Sequence, residues 1–450
     1  MLHAPAHLDL EVLSALGRLH RSGLLSADQV VDRLDRLASA DIERHAVGPL
    51  MGGAWRRRDQ HQLADGLYVE LAVKLGCLVL TTDRRLASAT SVAVLVDASV
   101  LGGGRPARVI LAGDARAGGA STLASVLVPA VEVLRAGGLV AFPTETVYGL
   151  GADALDPAAV ARIFAAKGRP ADNPVIVHAP DPETAWRVTT GPTALAVRLA
   201  ERFWPGPLTL VLSAAAGVPT EVTAGLASVA VRVPDHPVAL ALLHAAGVPV
   251  AAPSANRSGR PSPTTAAHVL ADLGDVVDMV VDGGPCSVGV ESTVVDVRGG
   301  APIVLREGAI TREMLAEAVA DMVTSVTRAA GVPDDVPSDL AASPGTRHRH
   351  YAPSCRVTIA STDDVPSVAA SLAGDPARRV GLVARVAAPD GVADIARFAD
   401  ATDLAARLYQ ALRDAEAAGV TDLVVEAVPE VGIGRAVMDR LRRAAQGSAE

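Results

Sequence analysis

Residues 138–178 read GLVAFPTETVYGLGADALDPAAVARIFAAKGRPADNPVIVH, and they settle what kind of fold the chain contains. GLVAFP is a short apolar run of strand type, DPAAVARIFAAKG has a helical pattern closed by glycine, and NPVIVH is a second strand-like run. Outward from this core the alternation continues through TALAVRLAERF, SVAVRVP, VPVAAPS, TTAAHVLADLG, DMVVDGG and STVVDV. SPTTAAHVLADLG carries both a helix N-cap and a glycine stop. Such alternation over 122–312 predicts an α/β domain with a sizeable sheet. The stretch KGRPADNPVIVH (167–178) also sets Lys167, Arg169, Asn173 and His178 around two prolines just before a strand. Two cations, an amide and an imidazole there suggest a surface that grips an anion, and a solvated basic loop explains them equally well.

Bulk composition limits the alternatives. A chain of 450 residues is too long for one core and implies two to four domains. Half of it is apolar and 20% charged, which is the balance of a globular protein. Aromatic residues make up only 2%, which argues against a single-strand binder built on base-stacking platforms. The net charge of −9 makes a broad nucleic-acid surface a poor fit, so an anionic ligand needs a local basic pocket. Cys77, Cys286 and Cys355 form no CxxC pair and support neither a disulfide framework nor a zinc site. MLHAPAHLDLE has no basic n-region, so it is not read as a signal peptide. The longest nearly uncharged run, 238–255, is interrupted by Gly247, Pro249 and Pro253, short of the ~20 unbroken apolar residues of a membrane helix. The expectation is a cytoplasmic protein with no membrane partner.

The flanks organise differently. Residues 1–96 read as helices closing on a strand, with LEVLSALGRLHRSGLL (10–25) and ADGLYVELAVKLG (64–76) at helical spacing and GCLVLTT (76–82) as the strand. GGGRPAR and GDARAGGAS mark 97–121 as a linker. Residues 313–353 read as a linker or lid, with ASPGTRHRHYAPSC (342–355) at its end. CRVTIA, RRVGLVAR, a helix through 403–417, TDLVVEAV and RAVMDRLRRAA make 354–450 a smaller α/β domain.

Chemistry-bearing residues gather at predicted strand ends. No GxxxxGK[ST] occurs, and GLGADA (149–154) and GIGRAV (432–437) lack the strand and acidic residue of a dinucleotide fingerprint. PTETVYGLG supplies Thr144, Glu145, Thr146 and Tyr148. VAVRVPDHP puts Arg232 in an apolar strand, where a guanidinium needs an anionic partner, either a ligand or an acid such as Asp235. APSANRSGRPSPT offers Ser254, Asn256, Ser258 and Ser262 before a helix, and GVESTVVD offers Glu291, Ser292 and Thr293. Taken singly, each is more simply a turn cap. Five polar strand ends in one domain shift the balance, because ligands of such sheets bind at strand C-termini. With no nucleophile elbow or Ser-His-Asp order, phosphoryl or nucleotidyl transfer fits better than covalent acyl chemistry.

These motifs together resemble the YrdC-like, threonylcarbamoyl-AMP synthase family, and SPGTRHRHYAP with GIGRAVMDRLRRAA resembles its long form with a linker and a C-terminal domain. The resemblance implies a YrdC-like α/β domain with a twisted mixed sheet and a small Rossmann-like C-terminal α/β domain. It implies an enzyme that joins L-threonine, bicarbonate and ATP, with Mg2+, into L-threonylcarbamoyladenylate and pyrophosphate for t6A modification of tRNA. Its partners would be downstream t6A-transfer proteins, with direct tRNA contact left open. By motif, Thr146, His178, Arg232, Ala252 (through its backbone) and Ser292 would hold threonine. Arg169, Asn173, Ser228, Ser254, Ser262, Arg306 and His348 would hold ATP, with Lys167 and Arg169 as the catalytic cations at the phosphates. His348 stands where the family often has Tyr, and Ser228 where Thr is also common.

Residues 1–96 resemble the PIN-domain ribonucleases, with Glu11, Asp65 and Asp83 as metal-binding acids, although the opening strand with its first Asp is missing before Glu11. VAVLVDASVL (92–101) looks like that strand, with Asp97, but sits at the wrong end. RRLASATS (84–91) is short for the crossover between parallel neighbours, which favours a truncated PIN-like remnant over a permuted fold. An RNA- or tRNA-binding module, including double-stranded RNA binding, and a PIN-type metal-dependent ribonuclease are the alternative functions.

Overall fold

The computed structural model describes residues 2–21, 30–31, 34–35, 37–38, 40, 42–58, 62–81, 86, 90, 92–95, 107–112, 120–323, 326–328 and 351–447. The chain divides into two compact units, Met1–Gly102 and Gly103–Glu450.

In the first unit, β1 (Leu2–Pro5) pairs in parallel with β2 (Ile42–His45), and helices run over Leu8–Arg21, Gly48–Arg56 and Leu63–Leu75. Gly76 ends the last helix at φ 63°, a left-handed conformation that glycine adopts without strain. β3 (Val79–Thr81) and β4 (Ala93–Leu95) pair in parallel, with Val79 beside Ala93 and Thr81 beside Leu95. This corrects the topological expectation. Parallel pairing occurs although only residues 82–92 join the two strands, so the length of the connection no longer favours a remnant over a permuted fold.

In the second unit the alternation of 138–178 is realised as strand, strand, helix and strand. β6 (Val140–Phe142) turns into β7 (Gly149–Asp153), the helix Pro157–Lys167 follows, and β8 (Ile176–His178) completes this stretch. The helix starts there because the Asp156 carboxylate accepts hydrogen bonds from the Ala158 and Ala159 amides and Pro157 presets the first turn. Among the described residues these strands belong to an eleven-stranded mixed sheet of order β15-β14-β13-β9-β10-β8-β11-β7-β6-β12-β5. Its other members are β5 (Arg108–Leu111), β9 (Leu208–Ser213), β10 (Ser228–Arg232), β11 (Val250–Ala251), β12 (Met279–Asp282), β13 (Thr293–Asp296), β14 (Ile303–Arg306) and β15 (Thr327–Arg328). Strand alternation sends Ala141 into one core with Leu150, Ile163, Val177 and Leu210, and Val140 and Phe142 into another with Leu127, Leu242 and Val250. Both faces are therefore covered, and polar groups become accessible to a ligand mainly at strand ends.

Two stretches expected as linkers contribute structure. RVIL (108–111) sits between the glycine-rich segments and forms the edge strand β5, parallel to β12, and a helix begins at Ala120. Within 313–353, the helix Arg312–Ala318 and β15, parallel to β14, continue the fold. Four apolar residues of a buried strand are too few to stand out between glycines, and β15 is only two residues long. The expected lid residues 342–350, His348 among them, lie outside the described residues.

The C-terminal part is a parallel four-stranded sheet of order β16-β19-β17-β18, from β16 (Arg356–Ala360), β17 (Val380–Ala384), β18 (Ala393–Arg397) and β19 (Asp422–Glu426). VGLVA and LVV are continuous apolar runs, as a sheet covered on both faces demands. Helices Ala401–Ala417 and Gly434–Gly447 place Leu404, Tyr409, Val437 and Leu441 in a core that also takes in Val147 and Val290 from the large sheet's loops. Gly289 makes this packing possible: at φ 78°, a Cβ there would lie 2.4 Å from the Ala405 carbonyl oxygen. The small domain is thus seated against the loops that hold the polar strand ends.

Candidate active site

The loop between β6 and β7 shapes one wall. The Thr144 hydroxyl donates to the Val147 carbonyl at 2.6 Å and accepts from the Thr146 and Val147 amides at 3.2 Å, which winds PTETV into a tight buried turn. Its hydroxyl also lies 2.9 Å from that of Thr146. The segment after β11 is stitched to this turn: Leu150 N donates to Pro253 O, Ala255 N to Tyr148 O and Tyr148 N to Pro263 O, each at 2.8 Å.

β8 and β10 run parallel with Arg232 in register with His178, so two buried polar side chains leave adjacent strand ends together. Arg232 Nε donates to Gly206 O at 3.2 Å. Its Nη2 lies 2.6 Å from Glu145 Oε1, both side chains almost wholly buried. The partner is Glu145 rather than Asp235, because the β6–β7 turn carries it across to the end of β10. This is an ion pair by proximity, and the alignment leaves Nη2 and both Glu145 oxygens without a hydrogen bond. His178 packs edge-on against Phe142, and its Nδ1 is likewise unbonded. Burial, with Arg232 adding to it, pushes the His178 pKa down to about 3, so the imidazole is neutral at physiological pH.

A second wall comes from the Lys167–Pro174 segment. Lys167 Nζ donates to the carbonyls of Ser254 and Asn256, each at 2.5 Å. Asn256 in turn accepts from the Ser254 hydroxyl and donates to the Arg257 and Arg260 carbonyls. Burial, then the neighbouring Arg169, holds the Lys167 pKa well below that of an ordinary lysine. Arg169 donates to the Asn173 and Pro174 carbonyls at 3.2 and 2.8 Å, and burial lowers its pKa to about 10.

The third wall joins the large sheet to the C-terminal domain. Arg306 donates from Nε to Ser292 O at 3.1 Å and from Nη2 to the Ser292 hydroxyl at 3.0 Å. Glu291 accepts from Ser262 at 2.5 Å, from Tyr409 at 2.8 Å and from Arg440 Nε at 3.1 Å. Burial alone would raise the Glu291 pKa, but the Arg440 and Arg306 charges and the Ser262 and Tyr409 hydrogen bonds outweigh it and bring it to about 2. Tyr351, at φ 67°, stacks on Tyr409 with ring centroids 5.5 Å apart.

One cleft gathers these groups. Thr146, His178, Arg232, Ala252 and Ser292 all line it, as do Arg169, Ser254, Ser262 and Arg306. Asn173 and Ser228 are buried but do not line it. The register that sets Ala230 beside Ile176 brings Ser228 level with Pro174, which does. Lys167 acts from behind, on the carbonyls of Ser254 and Asn256. Sequence reasoning did not assign Tyr351 to the site; its only signal was its place in HYAP. Glu145, Asn256 and Glu291 had stood out as polar strand-end residues, but without roles. In the first unit, Glu11 accepts from the Tyr68 hydroxyl at 2.8 Å and lies 3.4 Å from His7 Nε2. Asp65 lies in the first turn of helix Leu63–Leu75, and Asp83 lies outside the described residues.

An open mixed sheet whose strand ends and adjoining loops hold three arginines, a neutral imidazole and several hydroxyls, with Glu145 and Glu291 as countercharges, defines an α/β protein built to hold an anionic ligand. Which such protein is shown by its relatives. The family model described as "Telomere recombination" matches residues 132–308, and that described as "Threonylcarbamoyl-AMP synthase, C-terminal domain" matches 310–446. The chain is 42% identical over 318 residues to threonylcarbamoyl-AMP synthase of Pyrococcus abyssi, covering 69% of this chain and 91% of that one. The solved structure of P. abyssi Sua5 complexed with L-threonine aligns with a TM-score of 0.66 at 39% identity, covering 73% of this chain and 96% of that one. The chain belongs to the threonylcarbamoyl-AMP synthase family. It is also 52% identical over 88 residues to Ribonuclease VapC3 of Mycobacterium tuberculosis, 20% of this chain and 64% of that one, which gives the PIN-like reading some support.

Proposed function

We propose that the chain makes L-threonylcarbamoyladenylate and pyrophosphate from L-threonine, bicarbonate and ATP, as the first half of t6A synthesis on tRNA. The observation that carries this is the pair at the β8 and β10 ends: the buried guanidinium of Arg232, ion-paired with Glu145, beside His178, whose buried Nδ1 has no hydrogen bond. An unsatisfied group in the core costs stability unless a ligand completes it. A guanidinium suits the threonine carboxylate, and a neutral imidazole can share the amino acid's polar groups without repelling its ammonium form. Thr146, the Ala252 backbone and Ser292 complete the threonine end.

The nucleotide falls to Arg169, Asn173, Ser228, Ser254, Ser262, Arg306 and His348, with Lys167 behind them, holding the Ser254 and Asn256 carbonyls. Threonine's amine and bicarbonate give a carbamate and water; the carbamate oxygen attacks the α-phosphorus, and pyrophosphate leaves with the bonding electrons. The chain supplies positions and positive charge and no covalent nucleophile. Among the described residues at the cleft, the carboxylates of Glu145 and Glu291 are each engaged by an arginine. Mg2+ is therefore proposed to arrive on the triphosphate. The test is pyrophosphate release from ATP with threonine or bicarbonate omitted in turn. Release that is indifferent to either omission would refute the assignment.

A further inference from the structure

The first unit holds a constellation that threonylcarbamoyladenylate synthesis does not use and that shares no residue with the acids expected of a PIN-like domain. β1 and β2 pair in parallel with His3 opposite Glu43 and Pro5 opposite His45. Side chains two apart on a strand share a face, so Glu43 and His45 project together and His3 meets them from the neighbouring strand. His3 Nδ1 lies 3.0 Å from His45 Nε2 and 3.3 Å from Glu43 Oε2, and His45 Nε2 lies 3.9 Å from Glu43 Oε1. Arg44, between Glu43 and His45, belongs by alternation to the opposite face, where Asp9 holds it through Nε and Nη2 at 3.0 Å. The nearest cation of the strand pair is thereby committed elsewhere.

These separations have a specific chemical meaning. Ligand bonds of ~2.0–2.2 Å in a tetrahedral site put donor atoms about 3.3–3.6 Å apart. The three observed distances bracket that edge. Two imidazole nitrogens facing each other at 3.0 Å need either a shared proton or a cation between them. The side chains are partly shielded, at 27% exposure for His3 and 24% for His45, while Glu43 is half exposed, so an ion and a water could both reach the site.

We propose that His3, Glu43 and His45 form a binding site for a borderline divalent cation of the zinc class, with a fourth, solvent-facing position. Two nitrogens and one carboxylate select zinc, cobalt or nickel over magnesium or calcium, which prefer all-oxygen shells. Binding through His3 Nδ1 and His45 Nε2 places the remaining proton of each ring on the other nitrogen. Joining the two strands through one ion also makes the site stabilising for the β1–β2 pair.

The test uses the full-length, metal-stripped protein titrated with Co2+ and then Zn2+. The expected result is one equivalent of cobalt showing the intense visible band of four-coordinate Co2+, displaced by zinc and not by a large excess of Mg2+. His45→Ala should weaken binding by about 100-fold or more, at or beyond the top of the range for losing a ligand's outer-shell partner. Glu43→Gln, which keeps the shape, should weaken it to a lesser extent. His7→Ala is the control and should bind like the parent. Circular dichroism of the metal-free variants guards against unfolding as the cause. No four-coordinate cobalt signal, or a signal that survives in both His3→Ala and His45→Ala, overturns the proposal; the surviving signal would point to His348 and His350 instead.

Discussion

Replacing Arg232 by alanine separates recognition from architecture. Two effects should follow, with different readouts. The first is loss of the threonine carboxylate's partner. Truncating one member of a desolvated charge pair costs ~2–5 kcal/mol, or roughly 30-fold to several thousand-fold in threonine KM at 1.4 kcal/mol per tenfold. The second is structural. Arg232 and Glu145 are both almost wholly buried, so the variant leaves a carboxylate alone in the core, at a cost of about 3–5 kcal/mol in stability. Adding Glu145→Gln to Arg232→Ala should recover much of the thermal stability and none of the threonine recognition. The assay is pyrophosphate release against threonine concentration, with ATP affinity measured separately by calorimetry. ATP binding should change little, because Arg169 and Arg306 stand on other segments. Equal losses for ATP and threonine, or recovery of threonine KM in the double variant, would refute the carboxylate role.

Other expectations rest on the same geometry. His178 and His268 are both buried with pKa values pushed down to about 3 by burial first and a nearby arginine second. The unfolded chain binds their protons below about 6.5. Stability of the second unit should therefore be complete above that pH and fall steadily toward pH 3, joined below about 4.5 by Glu291; stability that is flat between pH 6.5 and 4.5 in urea titrations contradicts this. Gly289→Ala should lower stability by about 1–3 kcal/mol and weaken ATP binding, because it pushes the helix Ala401–Ala417 off Glu291's loop; an unchanged melting temperature would contradict the seating described. RNA incubated with the chain and Mn2+ should stay intact, since the Glu11 carboxylate is taken up by the Tyr68 hydroxyl. Cleavage that disappears in Asp83→Asn would instead make the protein bifunctional.

Much of the site was legible because its residues sit in short local motifs. PTETV, KGRPADNP and APSANRSG each carry their own turn chemistry, so the sequence placed Thr146, Arg169 and Ser254 at strand ends without any tertiary knowledge. What escaped it was contact between distant segments. Arg232 was offered Asp235, three residues away, and the fold gave it Glu145 across the sheet. The Glu291, Tyr409 and Arg440 cluster draws on a large-sheet loop and two helices of the C-terminal domain, and nothing in any one of those segments announces the others. Strand β5 and the parallel pairing of β3 with β4 were missed for a related reason. Three or four apolar residues carry too little periodicity to reveal which partner they will find.

The most direct measurement follows the carbon of bicarbonate. Isotopically labelled bicarbonate, threonine and ATP are incubated with the protein, and the adenylate formed is identified by mass. The account predicts one product holding threonine, the labelled carbon and AMP in equal amounts, with one pyrophosphate released for each. An adenylate that lacks the labelled carbon, or ADP in place of pyrophosphate, would contradict it.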